Sequence, residues 1–164
     1  MKSFSDELRN CMRHWTTGVA VVTSFSDGYQ HGMTVNSFVS VSLDPPLVTV
    51  TLANSTRTCE LVNRSGNFAV TILSEEQADV ADRFAGRGVE PADRFEGLEF
   101  ARFDGQAPVL IDGVAGIECS VVHSHVMKNS TLFIGEVIDA RLLRTDLEPL
   151  VYLNRAYYHG VGKE

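Results

Sequence analysis

Residues 32 to 58 read Gly32-Met-Thr-Val-Asn-Ser-Phe-Val-Ser-Val-Ser-Leu-Asp-Pro-Pro-Leu-Val-Thr-Val-Thr-Leu-Ala-Asn-Ser-Thr-Arg-Thr58, dense in β-branched residues, hydroxyls and amides, with Asp44 and Arg57 the only ionisable side chains. Val and Thr at that density fit a pleated, half-buried surface rather than a helix. Pro45 and Pro46 cannot donate to a sheet ladder, so they mark a loop before a strand from Leu47 to Leu52 that is apolar enough to be central. Upstream, Val19-Ala-Val-Val-Thr23 is short and β-branched, and Asp27-Gly28 is a turn signal, so a hairpin is expected with its return run from His31 to Ser37.

Working outward, Phe4, Leu8, Cys11 or Met12, and Trp15 recur at helical spacing, with Ser3 or Ser5 as the cap and an end before Gly18. Thr56 to Asn63 reads as a short helix closed near Gly66, followed by a buried strand from Phe68 to Leu73. Ser74-Glu-Glu-Gln77 fits a capping box opening a helix to about Phe84. Residues 86–97, with three glycines and Pro91, lack periodicity and read as a loop. Strands are expected at 98–103, 108–111, 114–126, 131–144 and 149–158. Short strands separated by turns, with three short helices, predict a mainly β fold, a closed or partly closed barrel with helices packed outside.

The 164 residues suffice for one domain, 1–164, and a composition of 44% hydrophobic and 21% charged residues excludes disordered, collagenous and coiled-coil chains. A net charge of −7 opposes nucleic acid and anionic membrane surfaces. No apolar run approaches the roughly 18 residues of a membrane span, and the charged N-terminal stretch is unlike a signal peptide, so a cytoplasmic protein is expected. Cys11, Cys59 and Cys119 are odd in number and form no zinc pattern, and read as reduced thiols.

Neutral donors on β-structure suit a flat heteroaromatic ligand, whose carbonyls and ring nitrogens need hydrogen bonds while its faces need apolar contact. Thr34, Asn36 and Ser37 are the candidate donors. Ser55-Thr56-Arg57-Thr58 joins three hydroxyls, a guanidinium and a helix start, a combination that holds phosphate. The plainer alternative is that these hydroxyls belong to half-buried strands and that Thr56 is only an N-cap. His123 and His125 stand two apart and face one side of a strand, but zinc needs three or four converging ligands and no third is evident, so no metal is expected.

The chain resembles the short-chain flavin reductases, split β-barrel proteins that bind FMN or FAD, among them the reductase components of two-component flavin-dependent monooxygenases. The resemblance covers about Phe4 to Gly160 and rests on Gly18-Val-Ala-Val-Val-Thr23, the run from Gly32 to Leu47, Asn67-Phe-Ala-Val-Thr-Ile-Leu73, Arg83-Phe-Ala-Gly86, Phe133-Ile-Gly-Glu-Val137 and Pro149-Leu-Val-Tyr152. It implies that Met33, Thr34, Val35, Asn36 and Ser37 meet the isoalloxazine and ribityl groups. It further implies that Thr51, Leu52 and Ala53 line the ring, that Thr56, Arg57 and Thr58 hold the phosphate, and that Arg83 and Phe84 close the site. A homodimer, a nicotinamide co-substrate (NADH or NADPH) and an oxygenase component as partner are implied too.

One departure stands out. Where many members of that family carry Gly-Asp-His, with the histidine associated with the nicotinamide site, this chain has Lys128-Asn129-Ser130. The change removes an imidazole and adds a cation suited to nucleotide phosphates. His125, Lys128, Ser130 and Tyr158 are therefore the nicotinamide-site candidates. Two readings stay open: a flavin reductase moving hydride from NAD(P)H to flavin, and a flavin-binding electron carrier without a productive nicotinamide site. Neither needs a catalytic side chain, because the reacting centres belong to the cofactors.

Overall fold

In a computed structural model, which describes residues 3–87 and 93–160, the chain is mainly β. Its elements are α1 (Phe4–Met12), β1 (Thr17–Gly18), β2 (Ala20–Ser26), β3 (Tyr29–Val35), β4 (Val39–Leu43), β5 (Pro46–Ala53), α2 (Arg57–Ser65), β6 (Asn67–Ile72), α3 (Ala78–Phe84), β7 (Phe100–Ala101), β8 (Val109–Leu110), β9 (Ala115–Val126), β10 (Ser130–Leu142), β11 (Val151–Leu153) and β12 (Ala156–Tyr158). Seven strands form one antiparallel sheet in the order β3-β2-β6-β9-β10-β5-β4. The edges β3 and β4 do not pair, so the ladder is not closed into a barrel.

β2 lies between the edge strand β3 and β6, and its Val, Ala and Thr residues are buried on both faces. On one face Val22 joins Val50, Leu52, Val62, Phe68, Val70, Cys119 and Phe133, with α2 supplying Cys59 and Val62. On the other, Val19 and Val21 meet Leu73, Val80, Ala81, Phe84, Phe95, Leu110 and Leu150 under α3. Each such side chain contributes about 1.5–3 kcal/mol by leaving water, which fixes β2 against both helices. Close approach of α3 to β3 depends on Gly32, since a Cβ there would lie 2.9 Å from Cε1 of Phe84.

The Asp27-Gly28 hairpin forms with φ of 53° and 81°, the left-handed pair a tight two-residue turn requires. α2 is bounded as its residues dictate, by Thr56 accepting from the Cys59 N–H and by Gly66 in the left-handed region at φ 70°. Ser3 is the cap of α1.

Some expectations need correction. β4 has no counterpart in the sequence reading. The capping box is half made: the Ser74 N–H donates to Oε1 of Gln77 at 2.9 Å, but Ser74 bridges to Pro149 and the Glu75 N–H donates to the Glu148 carbonyl, which holds the backbone extended and delays α3 to Ala78. The 98–103 strand shrinks to Phe100–Ala101. The 149–158 strand folds back on itself at Asn154 and Arg155, whose φ values are 49° and 66°. Of the 86–97 loop, residues 88–92 lie outside the described residues; Gly86, Arg87 and 93–97 form no strand. Trp15 is 67% exposed, and Phe4, Leu8 and Met12 on the apolar face of α1 are exposed as well. No helix among the described residues is long and apolar enough to cross a membrane.

Candidate functional site

β3, the start of α2 and the end of α3 enclose a cavity of about 920 Å³, lined by Gly28, Tyr29, Gln30, His31, Met33, Thr34, Thr56, Arg57, Phe84, Ala85, Asp93, Arg94 and Phe95. Arg57 is its exposed cation: the guanidinium forms no ion pair among the described residues and meets only the Tyr29 hydroxyl, at 3.4 Å. Beside it, Thr56 accepts from the Cys59 N–H, and the Arg57 and Thr58 amides before it are left without an intrahelical acceptor. A free guanidinium and a helix start at one rim make an anion site with a mixed apolar and polar wall behind it.

The hydroxyls are less available than the sequence implies. Thr34 donates to the Ala81 carbonyl at 2.6 Å, Ser37 to Thr51 O at 2.9 Å, and Thr56 to Ala53 O at 2.8 Å. A hydroxyl has one proton, so toward a ligand these three side chains can only accept. Ser37 also receives the Thr51 N–H at 3.1 Å, clipping the β3–β4 connection to β5. Leu52 and Thr58 are fully buried, so neither side chain reaches a ligand in this arrangement; the Thr58 hydroxyl lies 2.9 Å from Nδ1 of His31. Asn36 keeps its amide uncommitted among the described residues, and is exposed between two smaller cavities. One of about 170 Å³ includes Val35, Arg87, Tyr152 and Tyr157; the other, of about 310 Å³, includes Trp15 and Phe38.

Phe84 lines the large cavity and packs edge-on against Phe95 at 5.2 Å. Arg83 instead donates to the Glu96 carbonyl at 2.8 Å, pinning the 93–97 turn. Arg94 secures the same turn through the carbonyls of Gly32 and Phe84. Tyr157 donates to Asp82 at 3.0 Å, and burial together with that carboxylate pushes its phenol up to about 12.

Three of the nicotinamide candidates come together. His125 is the last residue but one of β9, Lys128 lies in the turn that follows and Ser130 opens β10, all at or near the surface. The side chain of Asn54 ties this turn to the entrance of α2: its Nδ2 donates to Met127 O at 2.9 Å, its Oδ1 accepts from Thr131 at 2.7 Å, and its main-chain N–H donates to Asn129 O at 3.0 Å. Ala53 pairs with Ser130 in the same place. Tyr158 sits apart, in the separate β1-β11-β12 sheet, and lines none of these cavities. His123 and His125 are both exposed, and no group of three His, Cys, Asp or Glu side chains converges among the described residues. Sequence reasoning missed Tyr29, His31 and Asn54; only the rarity of an aromatic pair beside the Asp27-Gly28 turn marks the first two.

The chain is 38% identical over 151 residues to the "Actinorhodin polyketide dimerase" of Streptomyces coelicolor, covering 92% of this chain and 83% of that protein. It is 39% identical over 157 residues to the "NADH-dependent FMN reductase AsuE2" of Streptomyces nodosus subsp. asukaensis, covering 92% and 82%. Its fold superposes on the solved flavin reductase PheA2 with a TM-score of 0.87 at 36% identity, covering 99% of this chain and 100% of that one. Residues 12–160 match the family model described as the flavin reductase like domain. With that match, and with the sheet and cavity to go with it, the chain belongs to the flavin reductase-like family.

Proposed function

We propose that this protein is an NAD(P)H:flavin oxidoreductase that binds FMN or FAD and passes reduced flavin to an oxygenase component. The observation that carries the reading is Arg57, an exposed cation without an ion pair among the described residues, at the rim of a cavity of about 920 Å³. The residues present fit a flavin: a cation and helix amides for phosphate, the uncommitted Asn36 amide for a ring carbonyl, and Met33 and Phe84 as apolar wall. Arg57 and the first amides of α2 hold the phosphate end, with Thr56 acting only as the cap that positions that helix start; Val35, Asn36, Ser37, Thr51 and Ala53 border the ring, and Arg83 acts by fixing the turn that closes the site. Bound flavin supplies the hydride-accepting ring. The chain's part is to orient that ring and to keep water from it with Met33 and Phe84.

In this reading Ser130, paired with Ala53, and Lys128, in the turn that Asn54 holds, meet the nicotinamide nucleotide, with His125 the nearby imidazole. The reading also includes a single domain, a cytoplasmic location and a split barrel that pairs as a homodimer. Phe4, Leu8 and Met12 on α1, Trp15 just beyond it, and Val39, Val41 and Leu43 on the edge strand β4 are exposed apolar surface that a second copy would cover. Light scattering at twice the chain mass, reduced to one mass by Leu8→Lys, supports the dimer; one chain mass for the wild type refutes it.

A second reading, a flavin-binding electron carrier, is favoured by one feature, Lys128-Asn129-Ser130 in place of a histidine turn. Mixing protein, FMN or FAD, and NADH or NADPH separates the two. Sustained loss of nicotinamide absorbance supports the reductase. Flavin that binds but is not reduced supports the carrier and overturns the reductase.

A further inference from the structure

The tip of the β9–β10 hairpin has no core beneath it. Residues 125–129 are all exposed, so the place the turn takes depends on hydrogen bonds rather than on packing. The Met127 N–H closes the turn on the Ser130 carbonyl at 2.8 Å. Asn54 then grips alternate residues of it: Nδ2 donates to the Met127 carbonyl at 2.9 Å, the main-chain N–H donates to the Asn129 carbonyl at 3.0 Å, and Oδ1 accepts from the Thr131 hydroxyl at 2.7 Å. Both ends of the carboxamide are used, beyond the point where the β5–β10 ladder ends at Ala53 and Ser130. What the clamp leaves unspent are the side chains of Lys128 and Ser130, neither of which has a hydrogen-bond or ion-pair partner among the described residues.

Asn54 is fixed from its other side as well. The Ala53 carbonyl before it accepts both the N–H and the hydroxyl of Thr56, at 3.1 and 2.8 Å, and Thr56 caps the helix on which Arg57 stands. A continuous path of bonds through Asn54 and Ala53 therefore joins the turn to the anion site. A single exposed residue holds two separate pieces of the surface in one relation.

We propose that Asn54 is a positioning residue for hydride transfer: by clamping the 127–131 turn to the entrance of α2, it sets the distance between a nicotinamide met by Lys128 and Ser130 and a flavin anchored at Arg57. The proposal rests on the reductase reading above. The hydride leaves the nicotinamide with its electron pair and adds to the flavin, oxidising the one and reducing the other, and no protein group forms or breaks a bond. Asn54 touches neither reactant. Its effect comes through separation, to which such a step is acutely sensitive, since about 1 Å of misplacement costs about a hundredfold in rate.

Anaerobic stopped-flow reduction of the FMN-loaded protein, by whichever of NADH and NADPH reduces the wild type, tests it together with FMN titrations. Asn54→Ala should lower the limiting rate of reduction about tenfold or more and change the FMN dissociation constant less than about twofold. Thr131→Val, which removes the bond that orients the carboxamide, should lower the rate in the same direction, and Thr131→Ser, which keeps the hydroxyl, should retain it. The double variant Asn54→Ala/Thr131→Val separates positioning from stability: it should recover resistance to urea and stay slow. FMN binding reports that each variant is folded, and Thr131→Val carries the test should Asn54→Ala not fold. An unchanged limiting rate overturns the proposal. So does a loss of FMN affinity as large as the loss of rate, which would place the effect at α2, and so does a double variant whose rate returns with its stability. A wild type that binds FMN but is reduced by neither nucleotide refutes the reductase reading itself, and the proposal falls with it.

Discussion

The Thr131 hydroxyl donates to Oδ1 of Asn54 at 2.7 Å, and this bond decides which way the Asn54 carboxamide faces. With Oδ1 turned to Thr131, Nδ2 must face the Met127 carbonyl, where it is found at 2.9 Å. Thr131 is only 2% exposed, so Asn54→Ala strands a buried hydroxyl at a cost of about 1–3 kcal/mol. Urea unfolding should show this loss. Adding Thr131→Val should recover part of it, and a double variant no more stable than Asn54→Ala denies the coupling.

Arg57→Ala should weaken flavin binding by about 1.5–3 kcal/mol, the worth of a hydrogen bond to a charged group. Calorimetry with FMN and with riboflavin makes the test specific: riboflavin, lacking the phosphate, should be insensitive to the substitution. Equal loss for both ligands would take the guanidinium away from the phosphate.

Asn36→Leu should disturb the ring more than the phosphate, because Asn36 is the ring-side candidate whose amide stays uncommitted among the described residues. The visible flavin spectrum and the reduction rate should both change. If both are normal, a different group meets the ring.

Ser130→His should raise turnover with NADH if the missing imidazole limits hydride transfer, since Ser130 sits beside Ala53 at the mouth of β5. Steady-state kcat with saturating flavin is the measurement. An unchanged value assigns that role elsewhere, with His125 the nearest alternative on the same hairpin.

Alkaline pH should destabilise the fold in two overlapping steps. Burial, aided by the Glu118 charge, raises the Cys119 thiol from 9.0 to about 12, and burial with the Asp82 hydrogen bond raises Tyr157 from 10.0 to about 12. Both folded-state values exceed the unfolded ones, so above these the folded chain binds more protons than the unfolded chain. Stability is therefore whole below about pH 9 and declines as pH rises toward about 12. Thermal midpoints followed over that window should fall, and Tyr157→Phe should remove the part beginning near 10. A profile identical to wild type would exclude the phenol.

What was legible in the sequence is what neighbours along the chain decide. Asp27-Gly28 prescribes its hairpin because few residue pairs accept two positive φ angles, and Thr56 and Gly66 bound α2 by satisfying its end groups locally. β4 was illegible because Val39, Val41 and Leu43 point outward and gain their strand only by pairing with β5. Asn54 looks like a turn residue among Ala, Asn and Ser, yet its side-chain partners stand 73 and 77 positions further on. The polar, uncharged character of the cradle was readable. Whether each hydroxyl still had a proton to offer was not, since that depends on the Ala81, Thr51 and Ala53 carbonyls that folding brings alongside.

One edge strand ends at Val35 and the opposite edge strand starts at Val39, and the three residues between them stand outside every strand. From the side chains, the Ser37 clip to Thr51 and the packing of Phe38 against the core hold the far end, and Asn36 is left without a side-chain bond among the described residues. A small rotation of the Asn36 peptide planes therefore unzips no neighbouring strand, much as an expansion joint lets one span of a bridge lengthen without stressing the next. The protein can follow a ligand's edge at this seam while the frame around it keeps its shape.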